Sequence, residues 1–167
     1  DYGALQNALN EWLGESAQLK YPMQGELLSP FLLQDLDGDG QQDAAVLYTT
    51  AQSSNVCIAF LQKNAAGLWQ VSQSIEGLAD TVDNVRLAQL QDGAATQLVV
   101  GYLAAQGDSY LAVYSYENGT VNAILEQSYE QYLVEDITGG GNEDLILMST
   151  LEDGGVQIEL LTVDRDG

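Results

Sequence analysis

Carboxylates at alternate positions of one nine-residue stretch, Asp35-Leu-Asp-Gly-Asp-Gly-Gln-Gln-Asp43, constrain this chain more than any other feature. Asp35, Asp37, Asp39 and Asp43 can converge only where the backbone curls tightly, and Gly38 and Gly40 permit that curl because glycine tolerates positive φ. Carboxylates crowded in this way repel one another unless a divalent ion neutralises them. An all-oxygen shell, completed by a backbone carbonyl at Gln41, suits Ca2+ best. A solvated Asp/Gly turn is the plain alternative, but such a turn has no need of a carboxylate at every second position. The loop opens like an EF-hand and does not close like one, because the twelfth position from Asp35 is Val46 rather than a bidentate Glu. Its flanks, Leu27 to Leu33 and Ala44 to Thr50, are short apolar runs that predict strands rather than helices.

The same arrangement recurs along the chain. Gln89 and Gln97, then Asp136 and Asp144, repeat the eight-residue interval of Asp35 and Asp43, and each pair is followed by an apolar run such as Leu98 to Tyr102 or Leu145 to Met148. The loops start 54 and then 47 residues apart. Periods near fifty with about four strands each point to propeller blades. Further strands are predicted over Val56 to Gln62 and Leu68 to Ser74 around a turn at Asn64 to Gly67, and over Tyr110 to Tyr116 and Val121 to Glu126. Asn118-Gly119 between the last two is a type I′ hairpin signal; the Asn118-Gly119-Thr120 glycosylation sequon is accounted for by that turn. Val156 to Val163 is the third strand of the last unit, with a turn expected at Asp164 to Gly167. The predicted fold class is mainly β: three propeller-like antiparallel blades, the last incomplete, behind an N-terminal amphipathic helix. The expected divisions are a helix and linker over 1–24, blade-like repeats over 25–78 and 79–130, and an incomplete one over 131–167. Closed propellers use at least four blades, so a partial or truncated propeller, part of a longer protein, is expected.

A strand, the pattern D-x-D-G-D-G-x-x-D at Asp35 to Asp43, and then an apolar strand resembles the FG-GAP and VCBS repeats, the calcium-loop blades of integrin-α-like β-propellers. The segment from Lys20 to Gly40 is also similar to the opening of uncharacterised VCBS-type lipoproteins of gut Firmicutes. The resemblance implies a β-propeller with Ca2+ in its first loop and an extracellular or cell-surface location, lipid-anchored in the full-length protein. The other loops have diverged from this pattern. Gln89 to Gln97 has lost its alternating carboxylates and is not expected to hold an ion. Asp136 to Asp144 keeps its first and last carboxylates while Thr138 and Gly140 replace the middle two, so weak Ca2+ binding or none is expected. Gly139-Gly140-Gly141 lacks the Lys and Ser/Thr of a phosphate loop.

Several function classes are excluded. Asp and Glu number 25 against four basic residues, a net charge of −21, and such a surface repels nucleic acid and anionic headgroups. There is no histidine, which rules out Ser-His-Asp triads, Cys-His pairs and histidine-ligated metals in this chain. Cys57 is the single cysteine and lies in an apolar run, as a small core residue does. No run of 18 apolar residues exists, so no membrane-spanning segment is predicted, and no signal peptide is seen, as for a mature domain.

Residues 1 to about 19 predict an amphipathic helix with Leu5, Ala8, Leu9, Trp12 and Leu13 on one docking face. Tyr102, Tyr110, Tyr114, Tyr116, Tyr129 and Tyr132 could stack on sugars if exposed, but aromatics are favoured in strands and packing is the expectation. The function expected is that of a non-catalytic calcium-binding module of an exported bacterial surface protein, recognising an unknown protein or glycan ligand or serving as a scaffold. The alternative is part of a lyase or glycosidase acting on polysaccharide, for which carboxylates are abundant but no pair stands out.

Overall fold

A computed structural model describes residues 1–162. The turn expected at Asp164 to Gly167, and the end of the strand predicted to Val163, lie outside the described residues. Helix α1 spans Tyr2–Leu13, with the Asp1 side chain accepting the Gly3 N–H at its start. It is shorter than predicted. Gly14 adopts a left-handed conformation (φ 73°) and donates its N–H to the Asn10 carbonyl, which stops the helix. The Asn10 side chain then accepts the Ala17 N–H at 2.8 Å, turning the chain into strand β1 (Gln18–Leu19). Leu5 and Leu9 are buried as expected, but Trp12 is 52% exposed and does not belong to the docking face.

Among the described residues, twelve strands form three antiparallel sheets in chain order. The first contains β2 (Phe31–Gln34), β3 (Asp43–Thr49), β4 (Cys57–Lys63) and β5 (Trp69–Glu76), with β1 pairing beside β2 along the same edge of β3. Strand β2 begins four residues later than the apolar run at Leu27 suggests. Pro30 has no N–H to give a sheet, and the Ser29 hydroxyl accepts the Phe31 N–H at 3.1 Å where pairing starts. The second sheet is β6 (Thr81–Ala88), β7 (Gln97–Leu103), β8 (Ser109–Glu117) and β9 (Thr120–Ser128). The third is β10 (Gln131–Glu135), β11 (Asp144–Thr150) and β12 (Val156–Leu161). Both central residues of the β8–β9 turn have positive φ, Asn118 at 52° and Gly119 at 75°, as a type I′ turn requires.

Alternation along the middle strands holds the sheets against one another. Ala45 and Leu47 of β3 face the second sheet, where Leu98, Val100 and Tyr102 of β7 meet them. The intervening Ala44, Val46 and Tyr48 face α1 through Leu5, Leu9 and Ala17. Val99, on the other side of β7, packs with Leu145 and Leu147 of β11. Strands β3 and β7 are therefore covered on both faces, which is why they read as unbroken apolar runs, whereas β11 is covered on its Leu145 and Leu147 face and, on the other, Ile146 lies between exposed Leu133 and Leu160. Of the tyrosines in question, Tyr102, Tyr114, Tyr116 and Tyr129 are buried. Cys57 is half-buried beside the α1 cluster, and burial pushes its thiol up from the ordinary value. Among the described residues no helix is long and apolar enough to cross a membrane.

Candidate metal centre

The loop between β2 and β3 is organised by its own carboxylates. Asp35 accepts the N–H groups of Gly38 at 2.8 Å and Asp39 at 3.2 Å on Oδ1, and that of Gly40 at 2.8 Å on Oδ2. Asp37 Oδ1 takes the Asp39 N–H at 3.1 Å, and Asp39 Oδ1 takes the Gln41 N–H at 2.7 Å. Gly38 (φ 78°) and Gly40 (φ 86°) supply the left-handed turns. At Gly38 there is no room for a side chain either, since a Cβ would lie 2.8 Å from the Ala95 nitrogen of the second loop.

These bonds bring carboxylate oxygens of Asp35, Asp37 and Asp39 within 4.8 Å of one another, the one such cluster among the described residues. A carboxylate offers about four lone-pair sites, and Asp37 and Asp39 each give one oxygen to a backbone N–H, so capacity for a cation remains. Without a cation the crowding has a cost. Burial, followed by the charges of Asp39 and Asp35, raises the Asp37 carboxyl above its ordinary value, against the Asp39 N–H that lowers it. The donor set, all oxygen and multiply charged, fits a hard divalent ion such as Ca2+.

Asp43 has a second task. It is only 3% exposed, and its Oδ2 accepts the Leu36 N–H at 2.9 Å and the Asp37 N–H at 3.4 Å. Its equivalents do the same work: Gln97 Oε1 accepts the Leu90 N–H at 2.7 Å, and Asp144 Oδ2 accepts those of Ile137 at 3.0 Å and Thr138 at 3.1 Å. The last residue of every loop thus pins the second, and an amide serves as well as a carboxylate. Asp136 likewise repeats Asp35, accepting the N–H groups of Gly139, Gly140 and Gly141. Its loop keeps the hydrogen-bond frame with Thr138 and Gly140 where the first loop has Asp37 and Asp39.

Burial pushes the Asp43 carboxyl up to about 6; the Leu36 N–H opposes the shift, and the Asp37 and Asp39 charges add to it. A carboxyl whose native pKa is raised stabilises the fold while protonated, below about pH 4, and loses that contribution as pH rises through about 6. In chelator the melting temperature therefore falls between pH 4.5 and 7, and Asp43→Asn, which keeps the acceptor without the charge, flattens the fall. Asp43→Ala leaves the buried Leu36 N–H without its partner and costs roughly 1–3 kcal/mol at pH 7, calcium or none. Thermal melts of the two variants separate the pin from the charge; equal stability of Ala and Asn variants in chelator would refute the pin.

The three loops are tied together at one end of the sheets. Thr96 N–H donates to the Leu36 carbonyl at 3.0 Å, joining first and second loops. Glu143 donates its N–H to the Gln89 carbonyl at 2.8 Å and accepts the Gln89 N–H on Oε1 at 3.0 Å, joining second and third. A cavity of about 510 Å³ opens beside the first loop, lined by Asp37, Gln97 and Tyr116 together with Asp92 and Glu117. Tyr116 stacks on Phe60 with ring centroids 5.5 Å apart and hydrogen-bonds Ser72 at 2.8 Å and Gln62 at 3.2 Å. Nothing in its strand pattern marked it as a neighbour of the carboxylates. Neither a scan against protein-family models nor a search of curated proteins finds a match for this chain.

Proposed function

We propose that this chain is a non-catalytic module of propeller-like blades whose first loop is pinned by Ca2+, part of a surface-exposed bacterial protein that binds or scaffolds rather than transforms. The observation that carries the reading is the convergence of Asp35, Asp37 and Asp39 oxygens within 4.8 Å on a loop that also grips its neighbour through Gly38 and Leu36. The residues that would hold the ion are these three carboxylates, with Asp43 and the Gln41 carbonyl completing the oxygen set. The ion would cancel repulsion among carboxylates and make the β2–β3 connection rigid. Consecutive sheets of about fifty residues, packed face to face and joined at their loops, support a partial FG-GAP or VCBS-type propeller. A net charge of −21 suits an exported surface and disfavours polyanionic partners. The test is thermal unfolding in calcium against chelator, alongside isothermal titration of calcium into chelator-treated protein. A single saturable site with a rise in melting temperature supports the reading; no heat and no shift would leave the Asp/Gly stretch as a turn.

A further inference from the structure

Lys20, Lys63 and Arg86 are the basic side chains among the described residues of a chain with 25 acids. An arginine in such surroundings is expected against a carboxylate. Arg86, on β6, instead donates from Nη2 to the main-chain carbonyl of Val134 at 3.2 Å, and among the described residues no carboxylate is in ion-pair contact with it. A guanidinium carries five donors in a planar fork, and Arg86 is exposed, so the donors not given to Val134 face solvent, where a ligand can take them. It lines a cavity of about 520 Å³ with Gln24, Leu27, Asn84, Leu87 and Tyr132, a size within the range of small-ligand sites.

The wall behind Arg86 is built and held. Asn84 donates to the Tyr129 hydroxyl at 3.1 Å and to Asp83 Oδ2 at 2.8 Å, and accepts the Tyr132 hydroxyl. Gln24 donates to the same Asp83 oxygen at 2.8 Å, so that carboxylate is met by two amides. The two tyrosine rings meet edge to face at 5.6 Å. Gly101 admits this network, since a Cβ there would lie 2.5 Å from Asn84 Nδ2. Burial pushes the Tyr132 phenol up to about 12, so it stays protonated.

We propose that this cavity binds a small ligand bearing one carboxylate, anchored by the Arg86 guanidinium, with its carbon skeleton against Leu27, Leu87 and the Tyr132 ring. A flat carboxylate matches the fork of an arginine. A single negative charge also suits a site with one cation, because the exposed Glu26 lines the same cavity and further charge would meet the field of the whole protein. The proposal goes beyond the calcium reading and does not depend on it, since no residue of the Asp35 to Asp43 loop lines this cavity.

The test is titration of the 15N-labelled protein with glucuronate, a sugar acid, and with lactate, a short hydroxy acid, against glucose as the neutral control. Arg86 is one of two arginines, and the spectrum of Arg86→Gln identifies its Nε–H resonance. The expected result is a saturable shift of that resonance with at least one acid, none with glucose, and a loss of about tenfold or more in affinity for Arg86→Gln. Arg86→Lys, which keeps the charge without the fork, falls between. The acid that binds more tightly tells a sugar acid from a free organic acid. Titration in calcium and in chelator gives equal affinity while the protein remains folded, so failure of the ion site is read separately. Absence of a saturable shift with both acids, an equal response to glucose, or unchanged affinity in Arg86→Gln overturns the proposal.

Discussion

Calcium at about a hundred times its dissociation constant raises the melting temperature by roughly 5–10 °C over chelator, and Asp37→Ala removes the rise. The size follows from linkage: a ligand at that concentration adds about 2.7 kcal/mol to the folded state, and in a chain of this length each kcal/mol is worth roughly 2–4 °C. Asp37 is the informative position. Asp35 holds three backbone N–H groups and Asp43 pins Leu36, so removing either breaks the loop whether or not an ion is present. Asp37 gives one oxygen to the Asp39 N–H and otherwise contributes charge. In chelator, Asp37→Ala therefore melts close to wild type, because the lost hydrogen bond is offset by relief of repulsion from Asp35 and Asp39. A calcium response that survives in Asp37→Ala would place the ion elsewhere, and no response in the wild type would remove it altogether.

Much of this arrangement is legible before any coordinates. Strands β3 and β7 announce themselves because a strand covered on both faces must be apolar throughout, and the loops before them and before β11 recur at a readable interval. The pin is less legible. Asp43 and Asp144 look like ligands because a carboxylate closing an acidic loop serves a cation and a backbone N–H equally well. Gln97 in the same place is the clue, since an amide that persists where a charge is lost indicates an acceptor role. The helix is overextended from sequence to about residue 19 although its apolar stripe already stops at Leu13; Gly14 ends it through φ, which periodicity does not register. Cross-sheet neighbours are least legible: Tyr116 lies beside the first loop, and Asn84 meets Tyr129 and Tyr132, through packing between sheets dozens of residues apart.

Tyr102→Ala destabilises the protein by roughly 3–5 kcal/mol, the usual cost of truncating a fully buried aromatic. Tyr102 has no exposed surface and lies in the cluster between the first and second sheets. Its ring fits over Gly77, where a Cβ would stand 2.6 Å from the hydroxyl, and that hydroxyl pairs with Tyr114 at 2.8 Å. Burial holds the Tyr102 phenol far above its ordinary value, so it is never an anion in the folded protein. Tyr102→Phe keeps the ring and strands the Tyr114 hydroxyl, a loss of roughly 1–3 kcal/mol. The placement of the tryptophans makes the experiment sharper. Trp12 is in α1 and Trp69 in β5 of the first sheet, whereas Tyr102 is in β7 of the second. If the packed sheets unfold as one unit, tryptophan fluorescence and circular dichroism in urea shift to the same lower midpoint with an unchanged slope. A fluorescence midpoint that stays at its wild-type value while the dichroism midpoint falls would mean that the first sheet stands without the second. In that event calcium at the first loop would stabilise one sheet, and the scaffold reading would shrink to that sheet and its helix.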